Sequence, residues 1–252
     1  MKYLIIFLFL GLALGKKDVT VRPIDCYYDT PPFPADYITN NSDDQIEIQK
    51  AIDVVSKAGG GTVILWACDF TLSDRLVMKS NVNIRGSHEA DYYSSFNYNG
   101  KKSIDSLIVF ENVKDIVVHR LDLANLKQTH NYAVKITKSS NIKLTNMRID
   151  TKYTGFKVLD SSNIKIVCAP VRNSQIGVDV ARVNTLDIGC LETNNADYCI
   201  CSDFFNLDDP FQHNSYTNNA VVFQSKDNIK FNIYGYRVGL KSDNKVIMKV
   251  IQ

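Results

Sequence analysis

The chain has 252 residues, 45% of them hydrophobic and 22% charged, with 29 Lys and Arg against 27 Asp and Glu. A formal charge of +2 is too small for a general electrostatic grip on nucleic acid. One continuous pattern over most of this length argues for a single domain rather than two.

In chain order, Met1-Lys-Tyr and the apolar run Leu4 to Leu14, ending Ala13-Leu14-Gly15, have the form of a secretory signal peptide cleaved after Gly15. The run is too short to span a bilayer and no later one is long enough, so a secreted, extracellular protein with no membrane partner is expected. Loss of Lys2 with that peptide takes the charge to +1. Residues 16–41 contain Pro31-Pro32-Phe33-Pro34 and are expected to be irregular. Asn40-Asn41-Ser42 is the single glycosylation sequon, which makes Asn40 the candidate acceptor of a glycoprotein.

The expected β-domain occupies residues 42–252. Ser42-Asp43-Asp44-Gln45 reads as a capping box. Ile48, Ala51, Ile52 and Val55 come next at helical spacing, and Gly59-Gly60-Gly61 ends the helix, which would cover the open N-terminal end of the strand region. Thr62 to Leu72 and Leu76 to Gly86 supply a first coil or two. His88 to Ser103, with Tyr92, Tyr93, Phe96 and Tyr98, reads as a loop thrown off the body, its tyrosines candidates to stack on sugar rings. A second loop runs from Asp208 to Asn219, and Lys245 to Gln252 is strand-like.

Between Ser106 and Gly239 the sequence repeats about every 22 residues. Apolar anchors at Ile116, Ile142, Ile164, Leu186, Leu207 and Ile229 are 26, 22, 22, 21 and 22 residues apart. Each anchor is preceded by a period-two pair: Ile108/Phe110, Val134/Ile136, Phe156/Val158, Val178/Val180, Cys199/Cys201 and Val221/Phe223. A second pair starts at the anchor itself, as in Ile142/Leu144 and Ile164/Ile166, and a weaker third comes after it in Leu121/Leu123 and Met147/Ile149. Period two is the strand signature, and a 22-residue repeat of two or three strands is a solenoid whose like positions stack coil on coil. A leucine-rich repeat has a similar period but needs a Leu-dominated consensus and one strand per repeat, whereas β-branched residues dominate here. The fold class predicted is all-β, a right-handed parallel β-helix with an N-terminal capping α-helix. Counting a first coil anchored at Val82, the residue before each anchor is Asn81, Asp115, Asn141, Asn163, Thr185, Asn206 and Asn228, the recurrent Asn either forming side-chain ladders up the solenoid or tolerating the turn conformation.

Six cysteines in an exported chain suggest disulfides. Cys168 and Cys190 fall four residues past successive anchors, so they stack either as a bridge or as a buried thiol ladder, while Cys199 and Cys201 fit core filling. Their spacing matches no zinc site.

Ile48-Gln-Lys-Ala-Ile-Asp, Gly59-Gly-Gly-Thr-Val and the segment Leu76 to Gly86 resemble the opening of the pectate lyase-like β-helix superfamily, which includes polygalacturonases and tailspike domains. The resemblance covers residues 43–86 by motif and the rest by repeat pattern. It implies a polysaccharide ligand, with lyases, hydrolases, epimerases and non-catalytic binders all represented in the superfamily. Polygalacturonases carry N-T-D, D-D, G-H-G and R-I-K on successive coils. Here Gly177-Val178-Asp179-Val180 is similar to the segment after N-T-D, with Ile176 in place of its first Asp. Asp197 matches the second Asp of D-D with Ala196 before it, Asn219 sits where the His belongs, and there is no R-I-K. Asp208-Asp209-Pro210-Phe211-Gln212-His213 is a broken match to the D-P-H of alginate epimerases.

Most of the inverting acid/base set is therefore missing. A lyase-like alternative takes Lys157 or Arg182 as base, with Asp179 and Asp197 for acid or metal duty, and calcium as cofactor in that case alone. Lys135 extends the row as a contact for an acidic sugar. The competing reading of this row is a solvated face of salt-bridged neighbours. Two functions are expected from these residues. One is a secreted enzyme, a divergent lyase or glycosidase acting on acidic polysaccharide. The other is a non-catalytic glycan-binding or structural β-helix. In both, the chain works as a monomer and its partner is a polysaccharide.

Overall fold

The structure, a computed structural model, describes residues 17–26, 34–86, 93–126, 130–174 and 176–189. Beyond them it describes backbone segments at 193–194, 198–202, 215–217, 220–223, 230–234, 237–238 and 247–248. The predicted signal peptide lies outside the described residues. All described strand pairs are parallel, and they stack into one sheet of nine strands and two of eight. We call these sheet A (nine strands, including Val82–Arg85, Lys114–His119, Ser140–Thr145 and Ser162–Val167), sheet B (including Ser94–Tyr98, Leu121–Leu126 and Arg148–Thr151) and sheet C (including Ile104–Glu111, His130–Thr137, Thr154–Leu159 and Ile176–Ala181). The chain runs C to A to B and then starts the next coil, the expected right-handed parallel β-helix.

The predicted register holds through the middle of the chain. Ile142 pairs with Ile164 and Ile164 with Leu186, each 22 residues on, while Ile116 to Ile142 takes 26. Ile84 to Val118 takes 34, because that coil carries the insertion around residues 87–103. Alternate residues of all three sheets point inward and form one continuous core, from Val19 through Phe70, Phe96, Phe110 and Phe156 to Ile188. β-Branched residues suit this pleated, one-side-buried surface.

Corners between sheets are made by single left-handed residues, which stack in columns. Asn112, Lys138, Asp160 and Arg182 (φ 49 to 53°) turn the chain out of sheet C, and Arg120, Asn146 and Cys168 (φ 51 to 60°) turn it out of sheet A. Asn81, Asp115, Asn141 and Asn163 (φ 51 to 63°) form the predicted column before the anchors, and both readings of it hold. The conformation is the one Asn and Asp tolerate. The side chains also bond up the solenoid: Asn163 Nδ2 donates to Asn141 Oδ1, and Asn141 Nδ2 to Asp115 Oδ1, both at 2.7 Å.

The helix Gln45–Lys57 buries Ile48, Ala51, Ile52 and Val55 against the first coil, as expected. It does more than cover apolar side chains, because its amides take the place of a missing strand. Gln49 Oε1 accepts from Val77 N at 2.9 Å while its Nε2 donates to Val77 O at 3.0 Å. Gln45 Oε1 accepts from Ser73 N at 2.9 Å. The buried carboxylate of Asp44 accepts from Asn40 N, Asn41 N and Thr71 N at 3.1, 2.7 and 2.7 Å. The predicted capping box is not made, since Asp44 is the N-cap without a side-chain cap bond and Ser42 Oγ donates to Asn40 Oδ1 instead. Helix exit needs glycine at Gly61, whose φ is 145° and where a Cβ would sit 2.0 Å from Lys17 O.

Three expectations are corrected. Residues 16–41 are not irregular throughout: Lys17–Pro23 pairs with Gly61–Leu65, and Tyr37–Thr39 pairs with it in turn, so sheet A extends past the helix. The Tyr-rich segment is not a loop over its whole length, because Ser94–Tyr98 is a sheet B strand with Phe96 and Tyr98 buried. Towards the C-terminus the register departs from the predicted one. Ile200 pairs with Val178 and Cys201 with Asp179, one residue off, and Lys230–Tyr234 pairs directly with Thr185–Gly189, with Phe231 opposite Leu186; the predicted anchor Leu207 lies outside the described residues.

A disulfide joins Cys26 to Cys68 with a Cα–Cα distance of 5.8 Å, a pair that spacing within the repeats does not reveal. Cys168 stands at a sheet A corner, and Cys190, its predicted partner, lies outside the described residues. No helix among the described residues is long and apolar enough to cross a membrane.

Candidate functional site

Each sheet presents outward rows in which residues of successive coils stand about 4.8 Å apart. On sheet C, Lys135, Lys157 and Asp179 form one row, as predicted. Their charges are spent on one another and on their neighbours. Lys157 Nζ lies 2.7 Å from Asp179 Oδ2, with both side chains mostly covered. Lys135 Nζ lies 2.5 Å from Asp105 Oδ2, and Asn131 Nδ2 donates to the other oxygen of that carboxylate. Burial pushes the Asp105 carboxyl up, but the bonds from Lys135 and Asn131 and the charges of Lys135 and Arg75 outweigh it and hold the group below its ordinary value.

Arg182 does not join Asp179. It sits in the corner column, where its guanidinium binds the Asp160 carboxylate of the preceding coil, with Nη2 to Oδ2 at 2.9 Å. That hydrogen bond holds the Asp160 carboxyl below its ordinary value. A depression of about 220 Å³ opens beside this row, between Arg75, Asp105, Glu111, Lys135, Lys138 and Asp160. Of the predicted set, Lys157 and Asp179 come together as an ion pair, Arg182 bonds Asp160 instead, and Asp197 lies outside the described residues. Among the described residues no three or more His, Cys, Asp or Glu side chains come together in a way that could hold a metal, and a calcium cage needs six to eight oxygens.

Sheet A repeats the design. Lys143, Lys165 and Asp187 stack outward, and Lys165 Nζ lies 2.6 Å from Asp187 Oδ2.

Sheet B differs. Asp122 pairs in register with Arg148, and one coil on Asp150 pairs with Arg172. Neither pair closes into an ion pair. Arg148 instead lays its guanidinium over Tyr93, 3.9 Å from the ring centre, and Asp150 accepts from Asn173 Nδ2 at 2.9 Å. Asp122 is half-buried on this face, and burial pushes its carboxyl above the ordinary value. Arg148 and Arg172 oppose that rise, and Asp150 and Asp69 add to it. None of these four Asp and Arg residues stands out in the sequence. The one signal there is the outward position inside the weak third pair, Asp122 between Leu121 and Leu123.

Of the predicted aromatic contacts, Tyr93 belongs to this face. Tyr98 does not face a ligand: it is 3% exposed, packs edge-on against His130 at 4.2 Å and donates to Lys102 O. Its inward position comes from strand alternation with Phe96. Tyr92 lies outside the described residues. Asn40 is exposed, with Oδ1 accepting from Ser42 N and Asp43 N.

No protein-family model and no curated protein sequence matches the chain. Several solved structures resemble it in fold, two of them as follows. One is a protein from Parabacteroides merdae assigned to the glycosyl hydrolases, 14% identical over 65% of this chain and 89% of that one, with a TM-score of 0.52. The other is an iota-carrageenase complexed to iota-carrageenan fragments, 17% identical over 84% of this chain, with a TM-score of 0.50. This chain spans only 56% of the carrageenase's length. At these identities the likeness is one of architecture: the chain shares the fold of these two proteins.

Proposed function

We propose that this is a secreted, polysaccharide-directed β-helix protein that binds its glycan along an outer face without cleaving it by the acid/base chemistry of polygalacturonases. Two observations carry the second half of this reading: most of the polygalacturonase acid/base set is missing from the sequence, and the 2.7 Å contact between Lys157 and Asp179 commits to each other the base and the carboxylate of the lyase-like alternative. The two groups are thereby turned to each other rather than to a bound chain. The same pairing removes the expected attraction of a basic row for an acidic chain, since Lys135 and Arg182 are also neutralised. The polysaccharide half is supported by an elongated solenoid with straight outer rows and by the carbohydrate-directed proteins that share its architecture.

The test is incubation of the purified protein with polygalacturonate, alginate, iota-carrageenan, mannan and glucan, with and without calcium. Retained binding with no unsaturated product and no new reducing ends is expected. Either product overturns the non-cleaving reading, and absence of binding to every polymer overturns the polysaccharide reading.

A further inference from the structure

We propose that the outer face of sheet B, at Asp122, Arg148, Asp150 and Arg172 with Tyr93 as its wall, is the saccharide site, and that it takes a neutral, hydroxyl-rich sugar unit. The inference deepens the proposed function and rests on it for the ligand class.

Its ground is a contrast within one molecule. The same coil-on-coil geometry that places Lys157 against Asp179 and Lys165 against Asp187 also places Asp122 opposite Arg148 and Asp150 opposite Arg172. On sheets A and C the opposed charges close to 2.6–2.7 Å. On sheet B, among the described residues, no such contact forms, and Arg148 turns to Tyr93. Arginine and carboxylate are the pair best shaped to close, through a bidentate fork. Here two such pairs stand in register and open, one coil apart and on neighbouring rows. Carboxylates that accept and guanidiniums that donate, spaced by one strand, match vicinal hydroxyls of a pyranose, each of which can do both. Tyr93 adds an aromatic edge beside them.

The sign of the face selects the sugar. Asp69, Asp122 and Asp150 outnumber Arg148 and Arg172 on this face. A uronate or sulfate brought here would meet net negative charge. An uncharged saccharide meets donors and acceptors without that cost.

The experiment is titration calorimetry of the full chain with mannohexaose, cellohexaose and hexagalacturonate, comparing wild type with Arg148→Ala, Asp122→Ala and a sheet C control, Lys157→Ala/Asp179→Ala. All the substituted side chains point outward, and unchanged thermal unfolding by circular dichroism identifies variants that fold. The expected result is binding of a neutral hexasaccharide that weakens at least tenfold in both sheet B variants and stays within twofold in the control. If wild type binds but the sheet B variants match it, the site is wrong and the polysaccharide reading survives. If hexagalacturonate binds in preference to both neutral sugars, the assignment of a neutral ligand is overturned. If none of the three binds, the neutral-sugar site falls, and the polysaccharide reading stands or falls separately on the wider polymer panel.

Discussion

Two residues show how position on the solenoid decides what a side chain costs. Asp122 is a carboxyl whose ionised form the fold disfavours, through burial first and the neighbouring Asp150 and Asp69 after it. A raised carboxyl means that the folded chain holds its proton more tightly than the unfolded one does. Stability then falls as pH rises from about the ordinary value of 3.8, and the penalty is complete above the folded value. Asp122→Asn removes that penalty. The variant should be more stable than wild type at pH 7 and indistinguishable from it near pH 3, a comparison that urea unfolding at the two pH values makes directly. Asp105 and Asp160 have lowered carboxyls and the opposite sign, their stabilisation being lost as pH falls below that same value. Asn141 poses a different problem, since it stands at φ 56° and both donates and accepts in the side-chain ladder. Asn141→Ala strains the left-handed corner and breaks two hydrogen bonds, for about 2–3 kcal/mol in total. Asn141→Gly relieves the backbone and loses the ladder alone, so it should cost about 1 kcal/mol less. Equal losses in the two variants would mean that the backbone conformation contributes nothing to the preference for Asn.

The capping helix is the element whose role the structure changes most. Its apolar face alone would plug the end of the solenoid, yet Asp44, Gln45 and Gln49 also bond the backbone of Thr71, Ser73 and Val77, where sheets B and C begin. Asp44→Ala leaves three backbone N–H groups without their acceptor and should cost about 3 kcal/mol or more, whereas Gln49→Ala should cost about 1–2 kcal/mol. Faster amide exchange at Thr71 in the first variant and at Val77 in the second would locate the effects, and no change at either would refute the edge-capping role. The helix itself is legible in the sequence, because burial imposes its spacing at Ile48, Ala51, Ile52 and Val55. So are the strands of sheets A and C, where inward β-branched pairs recur at a fixed distance from Asn. Sheet B is not. Val171–Arg172 is a two-residue strand, and period two over two residues leaves almost no trace. For the same reason the outward Asp122 and Arg148 carry no mark of their own, and Tyr98, inward by alternation with Phe96, passes for a surface ring. Sheet C shows the opposite limit: register places its row of Lys157 and Asp179 correctly, but register alone does not tell an open pair from a closed one.

For the molecule as a whole, each coil contacts only its neighbours, so stability is local and the ends are the weak points. At the N-terminal end the body does not stop at the helix. The strand Lys17–Pro23 continues sheet A below Gly61–Leu65, and the Cys26–Cys68 disulfide fastens the chain just after that strand to the first coil. The bridge spans 42 residues and encloses the helix, so it restricts the unfolded state of the element that seals the solenoid. Loop-closure entropy for a ring of that size corresponds to ~4 kcal/mol, an upper figure because unfolded chains retain some structure. Reduction, or Cys26→Ser with Cys68→Ser, should therefore lower the denaturation midpoint markedly. In a nearest-neighbour stack the loss should also be uneven. Amide protection should collapse first in residues 17–26 and in the helix, while Ile142, Ile164 and Leu186 in the central coils keep theirs until global unfolding. Uniform loss of protection along the chain would show that the coils unfold as one unit and that the disulfide is not a local clamp.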